Sequence, residues 1–150
     1  MPIRAERLAL YPGGSIKSPE WRAIRKRIGE RSGWRCETCG APHMTIVARG
    51  SYGGRDAYMI VDTGEVFDAE TGLKMTVMKL SAFGAYRVLK IVLTVAHLNH
   101  DETDCRDENL AHLCQRHHLR LDAKHHARNA ARTRRNRGGQ MDMEDFLNER

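Results

Sequence analysis

The sequence predicts an α+β fold whose modest core is stapled by a metal ion, and three observations carry that expectation. Helix signals stand near both ends of the chain. The stretch between Gly40 and Ala96 is rich in Val, Ile, Tyr and Thr and is broken by glycine turns. A Cys-x-x-Cys pair near the start is answered by a Cys-x-x-His pair near the end. The 150 residues fit one compact domain. With 41% apolar and 29% charged residues, the core is small enough for a structural metal to matter.

Residues 1–17 read as an extended N-terminal arm with a turn at Pro12-Gly13-Gly14-Ser15. Ser18-Pro19-Glu20 then opens a helix: Ser18 caps it, Pro19 takes the first helical position and Glu20 complements the dipole. Trp21, Ile24 and Ile28 recur at helical spacing and face the core, while Arg22, Arg25 and Lys26 lie largely off that stripe. Gly33 supplies the stop. Five strands follow, over 45–48, 57–61, 66–67, 74–79 and 86–95. The turns between them fall at Gly50-Ser51-Tyr52-Gly53-Gly54, Asp62-Thr63-Gly64 and Glu70-Thr71-Gly72. Together residues 44–95 read as an antiparallel meander. From Gln115 a long helix runs to a stop at Gly138-Gly139. Residues 138–150 form an acidic tail, either loose or a short docking helix. The main domain is thus 18–137.

The four cysteines are Cys36, Cys39, Cys105 and Cys114. With no export signal in Met1 to Leu10, two disulfides are a poorer reading than a metal knuckle in a reducing compartment. A two-residue gap lets both ligands of a knuckle reach one ion. Cys36 and Cys39 with Cys114 and His117 therefore make a four-ligand set of the kind tetrahedral zinc takes. Such a Zn2+ would tie the N-terminal helix to the C-terminal one. Cys105 lies outside both knuckles, and His112, His125 and His126 read as solvated or packed side chains.

The most informative segments are Val95-Ala96-His97-Leu98-Asn99-His100-Asp101 and Glu108-Asn109-Leu110-Ala111-His112-Leu113-Cys114-Gln115-Arg116-His117-His118. They resemble the HNH endonuclease family in its zinc-bound phage and bacterial form. That form has a strand ending in His, then Asn-Leu-x-x-Leu-Cys-x-x-Cys-His entering a helix; His117 stands here at the second Cys. Trp21-x-x-Ile24-Arg25 and Gly33-Trp34-Arg35-Cys36 resemble the family's leading segment, so the likeness spans residues 18–40 and 88–128. It implies a ββα-metal core with His97 as general base, Asn109 as the brace of its loop and His118 as ligand of a divalent cation such as Mg2+. Phosphodiester hydrolysis needs such a base and such a cation, and an imidazole with an unperturbed pKa near 6.5 is competent at neutral pH. One position departs: a second metal ligand usually precedes the base, and here Ala96 stands there. Either His100 or Asp101 reaches the cation instead, or the metal binds more weakly, or the site has lost activity. The His-x-x-His spacing makes His100 the preferred substitute.

A net charge of +6 and a pI near 9.4 suit a polyanionic partner, although charge alone does not separate a nucleic-acid binder from a merely basic protein. Arg116, Arg120, Lys124, Arg128 and Arg132 recur every fourth residue and form a slowly spiralling stripe, read as a surface for DNA phosphates. No stretch approaches the roughly 20 apolar residues of a membrane helix, so a cytoplasmic location is expected. The function expected is a metal-dependent endonuclease or nickase acting on double-stranded DNA. The alternatives are a zinc-knuckle DNA-binding protein whose nuclease site has decayed, and a phage packaging or regulatory protein that cuts only with a partner.

Overall fold

The computed structural model describes residues 5–84 and 86–137, the last two as backbone only. The glycine stop and acidic tail expected at 138–150 lie outside the described residues. The chain divides into two compact units, 1–118 and 119–150.

The first helix of any length is α2 (Pro19–Arg31), and its start follows the sequence. Ser18 Oγ accepts the Trp21 N–H at 3.0 Å and donates to the Pro12 carbonyl at 2.5 Å. Its core face buries Trp21 and Ile28. The arm before it is not extended. It contains a short helix, α1 (Ala5–Leu8), and a 3-10 turn at Pro12–Gly14. Long-range contacts hold it there: Arg7 pairs with Glu102, and the Tyr11 ring meets Trp21 edge-on. No local pattern announces either contact.

Five antiparallel strands form the first sheet: β1 (Ile46–Tyr52), β2 (Arg55–Ile60), β3 (Glu65–Asp68), β4 (Lys74–Val77) and β5 (Arg87–Lys90), in the order β4-β3-β2-β1-β5. Ala48 faces Met59 and Met59 faces Val66 across the ladders, so these residues share one face. With Ala57 and Phe83 they make its buried core. The β1–β2 turn is Gly53-Gly54, both at positive φ, as a two-residue hairpin on a right-twisted ladder needs. Gly50, Ser51 and Tyr52, read as turn, are paired residues of β1.

The strand expected over 86–95 is two strands in two sheets. After β5 the segment Ile91-Val92-Leu93 crosses over, with Ile91 and Leu93 fully buried, and β6 (Thr94–His97) begins a second sheet. A run of strand-forming residues does not distinguish one strand from two joined by a buried crossover. Here backbone bonds from Ile91 to Thr45 and from Met44 to Ile91 mark the break. β6 pairs with β7 (Leu110–Leu113) in the register His97↔Leu110 and Thr94↔Leu113, and α3 (Gln115–Arg137) follows at once. α2 packs on this hairpin.

Candidate metal centre and the histidine hairpin

Cys36, Cys39, Cys114 and His117 converge with their ligand atoms within 4.8 Å of one another, and all four are buried. Cys39 Sγ lies 3.9 Å from Cys114 Sγ, while His117 Nδ1 stands 3.3 Å from Cys114 Sγ and 3.6 Å from Cys36 Sγ. Ligands of a tetrahedral ion, at about 2.3 Å for sulfur and about 2.0–2.1 Å for nitrogen, stand roughly 3.5–3.8 Å apart. The spacing and the chemistry of the donor set fit a metal ion. The knuckle is shaped by Gly40 at φ 67, whose N–H donates to the Cys36 carbonyl at 2.8 Å. The second pair sits where β7 enters α3, and the Cys114 N–H points at Cys36 Sγ.

The electrostatics also suit a cation. Hydrogen bonds from Cys36 and Cys39 hold the Cys114 thiol far below its ordinary pKa, and the bond to Cys114, with burial, pushes Cys39 far up. A dication would let the other thiols ionise as well.

The five-stranded sheet, whose purpose the sequence left open, walls this centre. Arg49 on β1 donates to Cys114 Sγ at 3.3 Å, a positive charge beside the sulfur whose thiol is held below its ordinary pKa. Tyr58 on β2 donates to the Cys39 carbonyl at 2.8 Å. Glu70 Oε2, after β3, lies 3.9 Å from His117 Nε2, an otherwise unpartnered buried nitrogen. A carboxylate on that side favours the tautomer that leaves Nδ1 free to bind a metal. Gly72 packs against the Cys39 backbone so closely that a Cβ would sit 2.7 Å from its carbonyl oxygen. Arg49 and Tyr58 were not singled out from sequence, and Glu70 and Gly72 were read there only as turn residues. They reach the centre only through sheet register, which local patterns do not encode.

The second cluster is the β6–β7 hairpin. His97, the last residue of β6, is buried. Its ring stacks on Trp21 at 5.5 Å and meets Tyr11 edge-on at 5.9 Å, while its Nε2 faces Cys105 Sγ at 3.6 Å. Burial pushes the imidazole below its ordinary pKa and outweighs the opposing pull of Asp101 and Asp104; His118 adds to the lowering. Cys105, set aside in the sequence, therefore touches the expected base.

Asn109 ties together the loop that joins the strands. Its Oδ1 accepts the Asn99 N–H at 3.0 Å, and its Nδ2 donates to Asn99 Oδ1 at 2.9 Å and to the Asp104 carbonyl at 2.8 Å. Its own carbonyl accepts the Leu98 N–H. His118, in the first turn of α3, has Nδ1 2.6 Å from Thr94 Oγ1 at the start of β6. His100 occupies a left-handed position (φ 61) in the loop, its N–H bonded to the His97 carbonyl. Among the described residues, the Cys3His set is the only convergent group of three or more His, Cys, Asp or Glu side chains, so His97, His100 and His118 do not form a second one. His112 is packed, its Nδ1 2.8 Å from Ser32 Oγ.

Along α3, Arg120, Lys124, Arg128 and Arg132 are exposed. Arg116 differs from them: its guanidinium donates to Asp56 at 2.5 Å and Glu70 at 2.6 Å. Its charge is neutralised within the fold, which fastens the start of α3 to the first sheet.

The site belongs to a mixed α+β protein built round a buried three-cysteine, one-histidine cluster. Compared with protein-family models, with curated proteins and with solved structures, the chain finds no match. No helix among the described residues is long and apolar enough to cross a membrane.

Proposed function

We propose that the protein is a metal-dependent DNA endonuclease of the HNH (ββα-metal) type, with zinc in the Cys3His cluster as a structural ion. The observation that carries the reading is the hairpin-and-helix unit: His97 ends β6, Asn109 cross-ties the loop, and His118 opens the helix seated on the cluster. In this reading the buried zinc fixes where α3 starts, and so fixes His118 relative to β6. His97, neutral at physiological pH because burial lowers its pKa, takes the proton of the attacking water. His118, oriented by Thr94, holds a divalent cation such as Mg2+, which supplies charge stabilisation at the scissile phosphate. The exposed Arg120, Lys124, Arg128 and Arg132 bind the DNA backbone, which positions the duplex without reading sequence.

The test of the cation site is strand cleavage by zinc-loaded protein over a range of Mg2+ concentrations. His118→Ala should raise the Mg2+ needed by at least about tenfold, in line with the loss of a metal-site group. An unchanged Mg2+ dependence would remove His118 from the site.

A second reading has its own observation. Ala96 is buried, offers no ligand, and the neighbouring His97 lies beneath Trp21 and Tyr11 with Nε2 against Cys105. That packing favours a decayed nuclease that binds DNA without cutting it, or one that a protein partner must open.

A further inference from the structure

Where α2 and the turn after it meet His112 of β7, an open pocket of about 270 Å³ lies apart from the Cys3His cluster and from His97. Its wall on the α2 side is Arg22, Arg25 and Lys26, and no carboxylate lines it. Lys26 has a loose ion pair with Glu30 at 3.8 Å; Arg25 has no ion-pair partner among the described residues. Opposite stand Trp34, His43, Leu93 and His112.

Trp34 is the unusual residue. It is 44% exposed and takes a left-handed backbone (φ 56), a costly conformation for a bulky aromatic. The conformation is enforced: the Trp34 N–H bonds Gly29 O at 2.8 Å, and its carbonyl accepts the His43 N–H at 2.9 Å. The six-membered part of the indole lies against Gly29, where any Cβ would come within 2.7 Å of the ring. The glycine thus lets an aromatic ring rest on helix backbone at the mouth of a basic cavity. The His43 ring stands 5.7 Å from the indole, and its Nδ1 accepts the Leu93 N–H at 3.0 Å. That bond leaves the proton on Nε2, so neutral His43 is a hydrogen-bond donor.

We infer that this cavity seats one unpaired nucleobase of a single strand, stacked on Trp34, with the flanking phosphates on Arg22, Arg25 and Lys26. The inference rests on nucleic acid being the substrate, and deepens it: the strand is presented with a base out of its stack. A stacking platform beside a row of cations is how single strands are gripped without sequence preference. The volume lies below the roughly 300–1,000 Å³ of sites that take whole drug-sized ligands, which suits a single planar group. An acidic peptide would use the cations but bring no planar group to the exposed part of the indole.

The test is fluorescence titration of the zinc-loaded full chain. Trp34 is the reporter, because Trp21 is buried at 4% exposure. The probes are an eight-residue oligothymidylate, an abasic strand of the same length, a blunt duplex and a hexaglutamate peptide. The oligothymidylate should quench saturably and the abasic strand and peptide should not. Trp34→Ala should remove the quench and weaken binding about 5- to 150-fold, the loss of one base–aromatic stack. Trp34→Tyr should restore most of the affinity, which a merely structural role would not predict once zinc content and melting are matched. Arg25→Ala should lower the salt slope of single-strand binding by about 0.7. Equal binding of abasic strand, quenching by the peptide, or full affinity in Trp34→Ala would overturn the seat. Mg2+-dependent plasmid cleavage is read separately: duplex binding and cutting with silent Trp34 sinks the seat alone, whereas a quench without cutting sinks the nuclease and leaves the seat.

Discussion

His97 shows how one side chain can be tuned by what covers it. Trp21 stacks on one face and Tyr11 meets it edge-on, and the resulting desolvation disfavours the imidazolium. The sign of the consequence follows. A base must be unprotonated to act, and a pKa held below the ordinary 6.5 keeps it so across neutral pH. The acid limb of kcat/KM should therefore fall at a pH below 6.5, and a bound cation on His118 pushes the same way. Because the folded-state pKa is depressed, folding is also weakened as pH falls through 6.5, where the unfolded chain takes up the proton. A limb centred above 6.5 would contradict the assignment. The sequence singled out His97 only through the family resemblance around Asn109 and Cys114. Its neighbours were not legible, since Tyr11, Trp21 and Cys105 meet it only in three dimensions.

In the β6–β7 hairpin, Asn109 holds the loop beyond the four-residue ladder. Three side-chain hydrogen bonds from one amide hold a loop that would otherwise leave the Asn99 N–H and the Asp104 carbonyl unpaired. Asn109→Ala should cost about 1–3 kcal/mol, the penalty of those unsatisfied groups. It should also reduce cleavage more than it reduces DNA binding, because the loop sets the attitude of His97. A melting temperature and turnover equal to the parent protein would remove the brace. The helices were read well from sequence because their signals are local: Ser18 and Pro19 placed the start of α2, and Gln115 the start of α3. The strands were read less well. Run 86–95 keeps strand-forming residues throughout, with Arg87 and Lys90 its only charges, and only the partners of Ile91 and Leu93 reveal that it turns from one sheet into another.

Across the whole molecule, the Cys3His cluster is where the separate parts meet. The Cys36–Cys39 knuckle follows α2, Cys114 and His117 open α3, and the sheet supplies Arg49, Tyr58 and Glu70 around them. The four ligands were legible because knuckle spacing is a local constraint; the residues that wall them were not, because sheet register is not. Structural zinc contributes an apparent binding free energy of about 10–16 kcal/mol in small folds, comparable with the about 5–15 kcal/mol that stabilises an entire domain. Cys36→Ser should therefore lower both zinc content and melting temperature sharply, as measured by metal analysis and calorimetry. A variant that melts like the parent would show that the fold stands without the ion.

Nicking of supercoiled plasmid by the zinc-loaded protein, with and without added Mg2+ and beside His97→Ala, probes the nuclease reading itself. The reading predicts Mg2+-dependent nicking that His97→Ala abolishes while DNA binding and melting stay near those of the parent. DNA binding with no nicking under any divalent metal, or nicking unchanged in His97→Ala, would contradict it.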